Sequence, residues 1–289
     1  MENERGTPAR RNALTGPLCV LLASLLFSIG GLCVKLIPWS ALAINGARNL
    51  IGAAVIGLFL LVTRHRLRLN LPVALGALST LGVTTLFAVS NKLTTAANAI
   101  VLQFTAPVFV ILFMAVLFRV RPKRRDVLTC AAVFLGVCLF FVDGLRRGSL
   151  AGDFAALLSG VCYAGVFMMN TAEKSDPISS CFLGQLAAGL IFTPFCLRET
   201  DFSLPALGTL LILGVFQVGA AYILLSVGIR RTGAVTASLI TGLEPIMNPV
   251  WVALFYGEKL TGLAVVGAVI VVGAILLYNV RSAGEVPPE

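Results

Sequence analysis

The chain has 289 residues, 58% of them hydrophobic and 12% charged, with a mean hydropathy of +0.95 and a formal net charge of +9. A soluble domain of this length needs roughly twice that share of charge to cover its surface. The composition therefore excludes a soluble globular protein and reads as an all-α integral membrane protein.

Residues 1–12 are polar, carry Arg5, Arg10 and Arg11, and read as a disordered tail. The first apolar stretch, 17–37, is too long for a signal-peptide core and no A-x-A site follows it, so it counts as a retained first span. Further stretches of about 20 apolar residues, the length that crosses a bilayer, follow at 41–63, 72–90, 95–118, 127–143 (shorter), 152–170, 178–197, 205–228, 233–256 and 260–280. A short tail, 282–289, closes the chain. Pro38, Pro122, Pro177 and Pro205 mark turns between spans, and Trp39, Tyr256 and Tyr278 sit at span ends as an interfacial aromatic belt would. The 28 glycines run through the spans, where they permit close helix contact.

The basic charge is a topology signal and not a nucleic-acid footprint. With ten spans and the N-terminus inside, fifteen of the 22 Lys and Arg fall on the inner side, among them Arg64, Arg66, Arg68, Arg230 and Arg231. Six fall outside or at outer helix ends. This is the positive-inside bias of a multi-pass protein of the cell inner membrane with both termini cytoplasmic. The seven cysteines form no C-x-x-C pair and are odd in number, which indicates neither a disulfide framework nor a zinc site.

Two spans carry a proline at the same place: AIVLQFTAPVFVILFMAVLF (99–118) and ASLITGLEPIMNPVWVALFY (237–256). Pro107 and Pro245 are 138 residues apart, close to half the chain. This predicts two related halves, 13–145 and 150–281, joined by the loop around 144–151. Five spans per half is an odd number, so the second half must enter the membrane inverted, the architecture of many secondary transporters, with the site near the midplane between the halves.

The strings KLTTAANAIVLQFTAPVFV (92–110) and TASLITGLEPIMNPVWVALFYGEKLTGLAVVGAVIVVGA (236–274) resemble the two EamA repeats of the drug/metabolite transporter superfamily. Lys35 late in the first span and Arg48 early in the second recur in that group. The resemblance implies ten helices, cytoplasmic termini, export or exchange of small metabolites, and a cavity lined mainly by helices 1, 3, 4, 6, 8 and 9. EamA repeats place a glutamate after the fourth and ninth helices; Glu258 keeps it here, whereas the first copy has Val120.

Ionisable groups at membrane depth default to functional hypotheses. Glu244 stands near the middle of the ninth span, where its carboxylate must either pair with a cation or take up a proton, because desolvation disfavours the charged form. Thr241, Glu244, Asn248 and Trp251 fall on one helical face and form a polar–aromatic stripe. Pro107, Pro245 and Pro249 are expected to break their helices and free carbonyls toward a cavity. Arg48 either faces the interior or snorkels to the outer interface, and the same alternatives hold for Lys35. Asn98, Gln103 and Thr105 in span four, Tyr163 and Asn170 in span six, and Gln217, Tyr222 and Ser226 in span eight are either ligand contacts or interhelical hydrogen bonds. His65 lies in an arginine-rich loop and reads as solvated.

No catalytic or cofactor motif is present: there is no H-E-x-x-H, Walker A or G-x-S-x-G, and no Asp stands mid-span. The sequence reads as a secondary transporter of a small polar metabolite such as an amino acid, working by alternating access with proton coupling through Glu244. It acts as a monomer or homodimer, with the bilayer and a small-molecule substrate as partners. The alternative is a lipid or lipid-linked sugar flippase, which needs a lateral opening to the bilayer; a membrane-embedded enzyme has no residues to support it.

Overall fold

The computed structural model describes residues 8–117, 119, 121, 123–147, 149–232, 237, 240–257 and 261–283. Among the described residues the chain is helical, with no strand. Seven helical stretches are long and apolar enough to cross a membrane: Thr15–Leu36, Ala41–Val62, Leu71–Leu93, Ala96–Val116, Leu150–Thr171, Pro177–Arg198 and Leu204–Thr232. Shorter apolar segments stand at Val127–Leu139 and Gly262–Ala274. Val120, Glu258 and the tail segments 1–7 and 284–289 lie outside the described residues.

Several spans are interrupted, and the interruptions follow from local chemistry. The first consists of α1 (Pro8–Phe27) and α2 (Gly30–Leu36), separated by a turn at Ser28–Ile29. α1 begins at Pro8, inside the stretch expected to be a disordered tail. α3 (Ala41–Val62) and α4 (Leu71–Leu93) are uninterrupted and start at N-caps where Ser40 and Asn70 accept backbone N–H groups. α5 (Ala96–Gln103) and α6 (Ala106–Leu117) are split at Phe104–Thr105, just before Pro107. Proline has no N–H, and its ring crowds the carbonyl four residues back, here that of Gln103.

α7 (Arg124–Arg147) extends several residues beyond both ends of the expected fifth span. α8 (Leu150–Thr171) and α9 (Pro177–Phe192) follow, α9 ending in a 3-10 turn over Thr193–Arg198. The next span begins as α10 (Leu204–Ile212), loosens into a π-helical segment over Leu213–Ala220, and ends as α11 (Ala221–Thr232). A 3-10 turn at Thr241–Leu243 leads into α12 (Glu244–Tyr256), and α13 (Gly262–Ala283) closes the fold. Pro245 sits in the first turn of α12, where proline is tolerated. Pro249 lies inside α12, which runs on to Tyr256, so the break expected at Pro249 does not form: one lost rung is too little to end a packed helix.

Hydrogen bonds between distant loops define two ends of the bundle. At one end the Trp39 indole donates to the Asp201 carbonyl (2.6 Å), Ser40 donates to Glu199 (2.6 Å) and Lys92 donates to the Ile37 carbonyl (2.6 Å). At the other, His65 Nε2 lies 2.7 Å from Asp176 Oδ2, Asn70 donates to the Lys174 carbonyl (2.8 Å) and Arg231 donates to Thr15 Oγ1 (2.9 Å). This second end is rich in arginine. His65 is thus not merely solvated, as expected; its ring holds a carboxylate that is 1% exposed.

Packing pairs that join residues before 147 to residues after 150 include α1 with α11, α3 with α9 and the π-helical segment, α4 with α8 and α9, α5 with α12, and α7 with α13. Small residues set the approach. A Cβ on Gly31 would run into the Asn248 side chain, so α2 and α12 can meet only with glycine there.

Candidate functional site

The broken helices deliver their side chains to one place. Gln103 is the last residue of α5 before its break, and Glu244 is the first of α12 after its 3-10 turn. In both segments the carbonyl four residues before the proline cannot take the usual helical bond. The Thr241 carbonyl, four before Pro245, is met instead by Ser24 Oγ at 3.2 Å. The Gln103 carbonyl, four before Pro107, packs where a Cβ on Gly160 would come within 2.8 Å, so α8 has glycine at that crossing.

Gln103 and Glu244 line a buried cavity together with Arg48 from α3, Thr84 and Phe87 from α4, and Tyr163 from α8. Gln217 from the π-helical segment, Tyr222 from α11 and Phe27 from α1 complete its wall. A π-helical turn shifts the side-chain register, and such turns recur at functional sites; here it brings Gln217 round to the cavity. The space is about 20 Å³, room for roughly one water. A larger ligand requires the helices to separate.

Arg48 is 1% exposed, which decides against snorkelling. Its Nη2 donates to the Thr84 carbonyl (2.6 Å) and to Asn45 Oδ1 (3.3 Å), and its guanidinium lies 5.9 Å from the Phe87 ring centre. Among the described residues Arg48 Nε and Nη1 have no hydrogen-bond partner, nor do Gln103 Oε1, Gln217 Oε1 and Glu244 Oε2. Among the described residues Arg48 and Glu244 make no ion pair. Buried polar atoms are normally satisfied, and leaving one unmet costs about 1–3 kcal/mol, more when it is charged. Five such atoms on one cavity wall, with a fixed cation and a carboxylate among them, make a site complementary to a ligand carrying both charges.

Aromatic rings fix the wall. Tyr222 meets Phe27 edge-on at 5.0 Å, Tyr163 meets Phe167 at 4.6 Å and Phe104 at 6.4 Å, and the Tyr163 and Thr241 side chains are hydrogen-bonded. The cavity draws on the helices the resemblance implied and adds α3 through Arg48.

Other residues singled out in the sequence stand elsewhere. Of the stripe on the ninth span only Glu244 reaches the cavity. The Thr241 carbonyl accepts from Ser24 of α1 while its side chain meets Tyr163; Asn248 is buried against Gly31 of α2 and Trp251 donates to Ser28 Oγ at 3.1 Å, so these last two form a helix seam. Lys35 and Asn98 belong to a second polar cluster. Lys35 donates to the Thr94 carbonyl (2.9 Å), while the Thr94 hydroxyl (2.6 Å) and Asn98 Nδ2 (3.1 Å) both donate to Asp153 Oδ1. Sequence reasoning missed Asp153, which is fully buried in the first turn of α8. It also missed Asp176, whose signal was only a turn-forming Asp-Pro pair.

The EamA-like transporter family matches twice, over residues 14–142 and 150–280. The threonine/homoserine exporter RhtA of Escherichia coli is 25% identical over 285 residues, covering 94% of this chain and 93% of its own. RhtA of Salmonella typhimurium is 26% identical over 211 residues (71% and 70%). The uncharacterized transporter YyaM of Bacillus subtilis is 22% identical over 245 residues (78% and 80%). A solved crystal structure aligns with a TM-score of 0.67 at 18% identity, over 94% of this chain and 99% of its own.

Proposed function

The chain belongs to the EamA-like transporter family, and we propose that it is a secondary carrier that exports or exchanges a small zwitterionic metabolite across the cell inner membrane. In this reading Arg48 takes the substrate carboxylate and Glu244 its ammonium group. Gln103 and Gln217 supply acceptors for further N–H or O–H groups. The observation that carries it is the unpaired Arg48 and Glu244 on one buried cavity. Glu244 can hold the substrate ammonium or a proton but not both at once, and this exclusion is what couples export to proton uptake.

Alternating access follows from the architecture we propose: ten spans as two inverted repeats, 13–145 and 150–281, with both termini cytoplasmic and the arginine-rich end facing the cytoplasm. The packing pairs support it. Numbered by span they are 1–8 and 3–6, 2–8 and 3–7, 2–7, 4–9 and 5–10, a set that maps onto itself when the halves are exchanged. The opposite ends at which Thr15 and Asp153 begin their spans support it too. Rocking of the halves about the cavity opens a space that is now the size of one water.

The flippase reading has less support. The apolar groove between α6 and α7, about 640 Å³, shares no lining residue with the polar cavity, so it gives that cavity no side opening to lipid. The test is counterflow in liposomes containing the purified protein, with a panel of L-amino acids headed by threonine and homoserine, the substrates named for RhtA. Exchange of a zwitterion is the expected result. Exchange of none, alongside movement of labelled lipid, would replace this reading with the flippase.

A further inference from the structure

A second polar chamber lies at the arginine-rich end of the bundle. It encloses about 450 Å³, within the size range of small-molecule sites, and its walls include His65, Asp176, Ser226, Arg230 and Arg231. Asp176 is 1% exposed, and its two oxygens differ. Oδ2 is held by His65 Nε2 and by the Ser179 hydroxyl, each at 2.7 Å. Oδ1 is buried and has no hydrogen-bond partner among the described residues. Arg230 and Arg231, on the same lining, are exposed and form no ion pair with Asp176 among the described residues. A carboxylate oxygen taken out of water without a donor is costly, and the residue that carries it lines the same space as two exposed arginines.

The chamber is close to the central site. Ser226 stands on its wall and donates to the carbonyl of Tyr222, one helical turn away, and Tyr222 lines the central cavity. One turn of α-helix is about 5.4 Å. The two spaces are therefore separated by little more than the α11 backbone turn and the side chains around it.

We infer that this chamber is a loading site for the transported zwitterion, which Asp176 Oδ1 holds by its ammonium group and Arg230 and Arg231 by its carboxylate. The assignment rests on the carrier reading above and adds a second binding station on one face only. His65 positions Asp176: by occupying Oδ2 it leaves Oδ1 for the ligand.

The test uses the full-length protein in sealed vesicles of known orientation, with L-threonine as the probe. Its methyl ester lacks the carboxylate, and lactate lacks the ammonium group. Asp176→Asn should raise the half-saturating L-threonine concentration at the arginine-rich face at least tenfold and leave the opposite face within twofold. Arg230→Gln, at an exposed position, should weaken L-threonine in the same one-sided way while leaving the methyl ester unchanged. Unchanged values at the arginine-rich face, or equal changes at both faces, overturn the loading site while wild-type counterflow still upholds the carrier. Weakening of lactate as strong as that of L-threonine in Asp176→Asn also overturns it, because the carboxylate would then act only through the fold. A wild type that neither binds nor exchanges L-threonine or any other amino acid of the panel overturns both readings.

Discussion

Arg48 and Glu244 line one buried cavity and do not neutralise each other. A buried carboxyl and a buried cation would ordinarily close on one another, since apart they lose hydration without gaining attraction. Here Arg48 is tied back to the Thr84 carbonyl, and Glu244 is fixed at the start of α12 by the proline that follows it. The separation is built into two helices, and in the proposed carrier it leaves Arg48 for the substrate carboxylate and Glu244 for an ammonium group or a proton.

Arg48→Lys tests the fork. The guanidinium spends Nη2 on Thr84 and Asn45 and still presents Nε and Nη1. A lysine ammonium is a single point with three donors and cannot do both. The half-saturating substrate concentration in liposomes should rise at least tenfold, a change of about 1.4 kcal/mol. An unchanged value would remove Arg48 from the site.

Glu244→Gln keeps the shape of the side chain and abolishes its titration. Wild-type transport should depend on pH and be driven by a proton gradient. The variant should lose accumulation against that gradient and show a flat pH profile, while exchange at equal pH on both sides persists at a reduced rate. Full proton-driven transport in the variant would end the coupling role.

The sequence makes this much legible because proline and depth are local signals. Pro107 and Pro245 mark the interrupted spans, and the position of Glu244 ten residues into an apolar stretch marks an interior carboxylate. What it hides are burials made by distant partners. Asp176 reads as a turn residue until His65, 111 positions earlier, is folded against it. Asp153, at the start of span six, gives no sign of burial in the sequence; the fold brings Thr94, 59 positions earlier, to donate to it. Arg48 has two equal readings until the Thr84 carbonyl, 36 positions on, captures it. The stripe on span nine misleads for the converse reason: periodicity puts Asn248 and Trp251 on the face of Glu244, but α2 and the Ser28 turn before it cover that part of the face.

Orientation is testable by labelling. Arg66 and Thr200 are exposed and stand at opposite ends of the bundle. In a cysteine-free background, Arg66→Cys should react with an impermeant maleimide only from the cytoplasmic side and Thr200→Cys only from the outside. Labelling of both from one side would contradict the span count, and exchanged sides would invert the orientation.

Gly31 and Asn248 give the sharpest packing test. A Cβ at Gly31 lands on the Asn248 amide, and the Asn248 side chain is fully buried with neither polar atom hydrogen-bonded. Gly31→Ala should push α2 away from α12, with an overpacking cost of about 1–3 kcal/mol, and should slow transport because these two segments carry the seam beside Glu244. Asn248→Ala removes the atoms the new methyl strikes and two unmet polar groups with them. The double variant should therefore recover most of the thermal stability lost by Gly31→Ala, and the double-mutant cycle should report a coupling of at least 0.5 kcal/mol. Additive losses would mean that α2 and α12 do not meet at this point.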